Sequence, residues 1–168
     1  MGDCRMSTLY VDNLEPNLGS RVMAAGHVVQ VVQGTTATQV QVSATSETDT
    51  GLTATITPSS TTSKILVMVD QSIWINDTSD GNAGGNLHLY RDSTKIITSV
   101  SQSDMRITAE RTVGELRLGW HLNYNILDAP NSTSAIVYKT TLANFNAVYI
   151  DAQHSSSPSR IILMEIAQ

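Results

Sequence analysis

The sequence is poor in charge. Asp, Glu, Lys and Arg make up 15% of it, against roughly 25% in ordinary soluble domains. Its ten basic residues are scattered over 168 positions and the net charge is −5. No basic run is present to follow a phosphate backbone, so no nucleic-acid partner is expected. A single cysteine, Cys4, forbids an internal disulfide, and the fold has to be held by packing. No apolar run approaches the roughly 20 residues of a membrane-spanning helix. The opening "MGDCRMSTLYVDNLEP" lacks the apolar centre of a secretory signal. A protein made in the cytoplasm, with no membrane insertion, is expected.

Chemistry-bearing motifs are missing too. His27, His88, His121 and His154 have no second ligand at a recognised metal spacing. "NDTSDGNAGG" carries Asp77 and Asp80 but not the alternating ligand order of a calcium loop. There is no Gly-x-Ser-x-Gly elbow and no phosphate-cradling glycine motif. Asp104, Glu110, Glu115 and Asp128 show no pattern that would bring two carboxylates together. The expectation is a chain with no catalytic residues, metal or cofactor, and so not an enzyme.

What is present is Ser, Thr, Asn and Gln around an apolar content of 40%. From His27 onward short apolar-alternating runs are separated by turn clusters, which predicts strands. "HVVQVVQ" and "TQVQVS" read as two strands joined across Gly34. "TSETDTG" reads as a turn before the strand "LTATIT". In "KILVMVDQSIWIND", Ile65, Val67, Val69, Ile73 and Ile75 share one face. Leu66, Met68, Asp70, Ser72 and Trp74 share the other. "DTSDGNAGGN" reads as a flexible loop, "LHLYRDSTKII" as a hairpin and "SQSDMRITAERTVG" as a polar connection. "GELRLGWHLNYNILDAP" alternates for a dozen residues, with Leu116, Leu118, Trp120, Leu122, Tyr124 and Ile126 on one face. Trp120 is therefore expected in the core, and His121, with His88, on a solvated polar face. Trp74 is expected at an interface. "AIVYKTTLA", "NAVYIDA" and "SRIILMEIAQ" complete eight to ten strands.

The fold expected is all-β, an antiparallel β-sandwich or jelly roll over residues 27–168, the knob. Residues 1–26 form an extended N-terminal arm. The arm's apolar residues Leu9, Tyr10, Val11, Leu14 and Leu18, with Pro16, are the candidate attachment contacts.

Two resemblances bear on function. "LHLYRDSTKI", through Leu87, Leu89, Tyr90, Arg91, Asp92 and Thr94, resembles a hairpin of the tumour-necrosis-factor and complement-globular-head jelly rolls. That likeness covers residues 50 to 168. "STLYVDNLEPNLGS", "DTGLTATITPSSTTSKILV" and "SRIILMEIA" resemble virion structural proteins of tailed bacteriophages, of the fibre, appendage or decoration type, over nearly the whole chain. The resemblance implies a non-enzymatic, virion-located homotrimer anchored to other virion proteins of the tail, baseplate or capsid. It also answers why the strand "RIILMEIA" is apolar on both faces. Ile162, Met164 and Ile166, with Leu66, Met68 and Trp74, would meet symmetry mates; the alternative is that both faces are covered within one subunit. Three roles remain open: a short tail-fibre or appendage subunit, a capsid decoration (cement) protein, and a carbohydrate-binding module for host-surface attachment through a glycan.

Overall fold

The computed structural model describes residues 24–78, 81–97, 106–111 and 114–168. These form eleven strands: β1 (Val28–Thr36), β2 (Val40–Val42), β3 (Thr48–Ile56), β4 (Lys64–Asp77), β5 (Gly81–Arg91), β6 (Thr94–Ile97), β7 (Arg106–Arg111), β8 (Leu116–Asp128), β9 (Ile136–Phe145), β10 (Tyr149–Ala152) and β11 (Ser159–Ile166). All their ladders are antiparallel. A 3₁₀ turn, His154–Ser156, joins β10 to β11.

The strands lie in two sheets. In the six-stranded sheet, β8 runs along one side of β4, while β11 and β10 share the other side end to end. β1 lies beyond β11 and β2 beyond β10. The five-stranded sheet is ordered β3, β9, β5, with β6 and β7 sharing the far side of β5. From β3 onward the chain passes repeatedly from one sheet to the other, as in a jelly roll. The expected all-β sandwich is the fold that forms.

Alternation builds the core. Ile65, Val67, Val69, Ile73 and Ile75 of β4 point inward, as do Ile161 and Leu163 of β11, and none is more than 3% exposed. They pack with Leu52 and Ile56 of β3, Leu87 and Leu89 of β5, and Tyr138 and Leu142 of β9. Each such side chain contributes about 1.5–3 kcal/mol by leaving water. Polar links also tie the sheets together. Gln71 Oε1 of β4 accepts from Thr140 Oγ1 of β9 at 2.9 Å, while Gln71 Nε2 donates within its own sheet to Ser159 Oγ at 2.9 Å. At one end Asp128 accepts two bonds from Arg91 Nη1, at 2.8 and 2.9 Å, and a third from the Tyr138 hydroxyl at 2.7 Å. Burial, then the bond to Asp128, push the Tyr138 hydroxyl pKa up, so it stays a donor.

Several sequence expectations change in the fold. Gly34 is not a joint: β1 runs straight through it and pairs with β11, while β2 pairs with β10. A Cβ at Gly34 would lie 1.9 Å from the Thr53 carbonyl oxygen. The glycine is needed because two backbones touch there. "TSETDTG" is partly strand: β3 starts at Thr48 and passes a bulge at Gly51, whose φ is +76°. The glycine-rich "GNAGGN" opens β5, and "RITAER" is β7, its partner. Neither carries an apolar alternation, so the pairing is held by main-chain bonds and by space. A Cβ at Gly85 would sit 2.5 Å from Ile150 Cδ1. Trp120 has the inward register but is 53% exposed, because β8 has only one neighbouring strand among the described residues. His88 is only 8% exposed, on the outer face of β5 beside Glu47.

Candidate functional site

The outer face of the six-stranded sheet carries the residues singled out from the sequence. Register sets its rows. Val31 of β1, Met164 of β11, Leu66 of β4 and Leu127 of β8 form one row across four strands. Gln33, Ile162, Met68 and Asn125 form the next, and Thr35, Arg160, Asp70 and Asn123 the third. The first row is wholly apolar, the second half apolar, the third polar. Val31 is 57% and Leu127 50% exposed, while Leu66, Met68, Ile162, Met164 and Ile166 are half-buried. Lone exposed apolar residues are ordinary; a contiguous group on one sheet face marks an interaction surface.

Five of the six candidate contact residues thus fall in one patch. Trp74 lies apart, six positions beyond Met68 on the same face of β4, or about 20 Å at strand rise. The boundary is charged. Asp70 Oδ1 meets His121 Nδ1 at 2.7 Å, and Asp70 Oδ2 meets Arg160 Nη1 at 3.5 Å.

Beyond that boundary the face is aromatic and polar. The Trp74 and His154 rings stack, with centroids 4.6 Å apart and planes 10° apart. His154 Nδ1 lies 2.7 Å from Oδ2 of Asp151, whose side chain is 1% exposed. A carboxylate only accepts, so the Nδ1 hydrogens of His121 and His154 point at Asp70 and Asp151, and each Nε2 is left facing away. Gly119 lies opposite Trp74, and a Cβ there would come within 3.0 Å of the indole. The turn that delivers His154 is bent by left-handed φ values at Gln153 (54°), Ser155 (51°) and Ser156 (61°). It is docked by the Gln153 N–H, which donates to the Ser72 carbonyl at 3.1 Å. Such conformations cost free energy in non-glycine residues and persist where the surroundings impose them.

A cleft of about 520 Å³ opens on one side of the Trp74–His154 pair, between Gly119–His121 of β8 and Ser155 and Ser157 of the turn. A smaller one of about 190 Å³ opens on the other side, bounded by Asn76, Arg117 and Tyr149. Ser157 Oγ lies 3.4 Å from His121 Nε2, completing an Asp70–His121–Ser157 chain. Asp70 is half-buried and shared with Arg160. The N–H groups of Ser155, Ser156 and Ser157 are already donated to Gln39, Gln153 and His154, leaving none of the three as an oxyanion donor. Among the described residues no group of three or more His, Cys, Asp and Glu side chains is placed to hold a metal ion. Among them, too, no helix is long and apolar enough to cross a membrane.

The arm contacts Leu9, Tyr10, Val11, Leu14, Pro16 and Leu18 lie outside the described residues. The description begins close to the sheet, where the Gly26 N–H donates to the Ala167 carbonyl at 2.8 Å.

Two charged clusters escaped the sequence reading. Glu165, on the inner face of β11, is fully buried. It accepts from Gln30 Nε2 at 2.7 Å, the Ser59 N–H at 2.7 Å and Ser59 Oγ at 2.6 Å. Burial alone raises its pKa, but donation from Ser59, Gln30 and Ser63 outweighs this and holds it below the usual carboxylate value. Glu47 gathers Lys95, Thr141 and Tyr90, with His88 nearby. Burial raises its pKa, and the bonds to those three, Lys95 first, pull it down to about 2. Their partners come from segments distant in the sequence, so no local spacing announces either cluster.

No family model matches the sequence, and no curated protein matches it. Among solved structures the chain is similar to one from infectious bursal disease virus, Gt strain, at 15% identity and a TM-score of 0.37. The likeness covers 95% of this chain and 43% of that one, so the chain spans less than half the length of the viral chain it matches.

Proposed function

We propose that this chain is a non-enzymatic structural subunit of a virus particle. It assembles as a homotrimer through the outer face of its six-stranded sheet, and its first 26 residues attach it to a neighbouring virion protein. The observation that carries this reading is the apolar row Val31, Met164, Leu66 and Leu127, with Ile162 and Met68 beside it. β11 is buried by its own core through Ile161 and Leu163 and offers Ile162 and Met164 on the opposite side. No strand of the described residues covers that side. A closed ring of identical subunits covers it head to tail, the patch of one copy meeting a complementary surface of the next, and obligate interfaces of that kind are rich in apolar residues. The resemblance to phage fibre, appendage and decoration proteins supplies the setting, and a short appendage subunit suits a chain whose described residues form a knob.

The test is the native mass of the full chain at micromolar concentration. A mass of three chains is expected. A stable single chain overturns the trimer, and with it the physical support for the virion role.

A further inference from the structure

We propose that the groove on either side of the Trp74–His154 stack is a binding site for a neutral oligosaccharide. This inference goes beyond the structural role and rests on residues of one chain, so it stands or falls separately from the trimer.

The groove has three properties that point to this ligand. First, its wall is an aromatic pair held in place rather than a mobile side chain. Asp151 fixes His154 from below, and one of its carboxylate oxygens, Oδ1, is buried without a hydrogen-bond partner among the described residues. Gly119 leaves the space the indole occupies. A pyranose ring offers C–H faces to such a surface and hydroxyls at its rim. Second, the rim is rich in directional polar groups: His121, Ser155 and Ser157 on one side, Asn76, Arg117 and Tyr149 on the other. The larger cleft alone is in the size range of small-molecule sites, roughly 300–1,000 Å³. Two lobes about one stack suit a ligand of several linked units. Third, the local charges are already matched. Asp70 holds His121 and Arg160, Asp151 holds His154, and Glu115 holds Arg117 at 3.0 Å. Each guanidinium already faces a carboxylate, so neither is left unpaired to select an anionic sugar or a phosphate. The spacing along β4 keeps the groove clear of the apolar rows, so assembly through those rows leaves it open.

The experiment uses the full unmodified chain, because Trp120 also borders the larger cleft. Hexaoses of glucose (α- and β-linked), mannose and N-acetylglucosamine are titrated while tryptophan emission and saturation-transfer NMR are recorded. Sialyllactose is the acidic comparison. The expected result is saturable binding of at least one neutral hexaose with a shift in tryptophan emission. His154→Ala and Ser157→Ala should then weaken it, His154→Ala by about tenfold or more. Ser157 lies at the surface, so its variant keeps the test valid if His154→Ala misfolds; native mass and circular dichroism check both. No neutral hexaose binding at millimolar concentration overturns the proposal. So does binding of sialyllactose alone, or binding that folded His154→Ala and Ser157→Ala leave unchanged. A monomer that binds, or a trimer that does not, separates this site from the assembly reading.

Discussion

One face of one sheet holds two unlike halves. Around Leu66 and Met68 the outward residues are mostly apolar, broken by Gln33 and Asn125, and each strand contributes one per row. Around Trp74 they are polar or aromatic and interlocked by charge. Beneath both halves the inward residues are apolar: Val67 and Leu163 lie under the first, and Ile73, Ile75 and Ile150 under the second. The difference separates two kinds of contact. The apolar half needs a broad dry partner, whereas the aromatic half can hold a small wet one. Solvent-facing apolar rows gain free energy only by leaving water, but fixed hydrogen-bonding groups select by geometry.

The comparison can be broken or sharpened by substitution. Gly34→Val should have the largest effect, because it abolishes both halves together. Its side chain meets the Thr53 carbonyl rather than a side chain that can move. A loss of about 3 kcal/mol or more is expected, measured as failure to recover folded protein or as a collapsed denaturant midpoint. Leu66→Asp with Met164→Asp comes next. It should turn the proposed trimer into folded monomers in native mass spectrometry, while Trp74→Ala leaves the native mass unchanged; the reverse pattern would exchange the roles of the halves.

Glu165→Leu follows. It strands the Ser59 N–H and the Gln30 amide and should cost about 1–3 kcal/mol at neutral pH. The pH sign is fixed by the lowered pKa. Stability from Glu165 is fully present above its unfolded value, near 4.5, and is lost as pH falls through the depressed folded value. The gap between wild type and Glu165→Leu should therefore narrow on acidification below about 4.5, by urea unfolding at several pH values. Smallest is His121→Ala, which breaks a half-exposed pair at the boundary and should change stability by no more than about 1 kcal/mol.

The strands that were legible are those with their own alternation. β4, β8 and β11 each announce an inner and an outer face, and the apolar patch follows directly from that reading. β7 and the first half of β5 were not legible, because glycine and polar residues carry no periodic signal and their strand form depends on each other. Gly34 reads locally as a break; only the opposing Thr53 backbone shows why the strand continues through it. The Trp74 groove was half visible. Trp74 could be placed on an outer face, but its stacking partner is 80 positions away and arrives through a turn with three left-handed residues. Exposure of Trp120 depends on β8 having only one neighbouring strand among the described residues, which is a property of sheet order rather than of sequence pattern.

The pairing of β1 with β11 has a consequence for how the protein is made. Val31 must wait for Met164, about 130 residues later in synthesis. At ordinary ribosome speeds that delay is on the order of ten seconds. Throughout it, the valines of β1 are presented to solvent with an unfilled ladder beside them. The apolar patch is therefore completed by the same late event that joins β1 to β11, so a nascent chain cannot offer its finished patch to neighbours on the same polysome before that strand emerges.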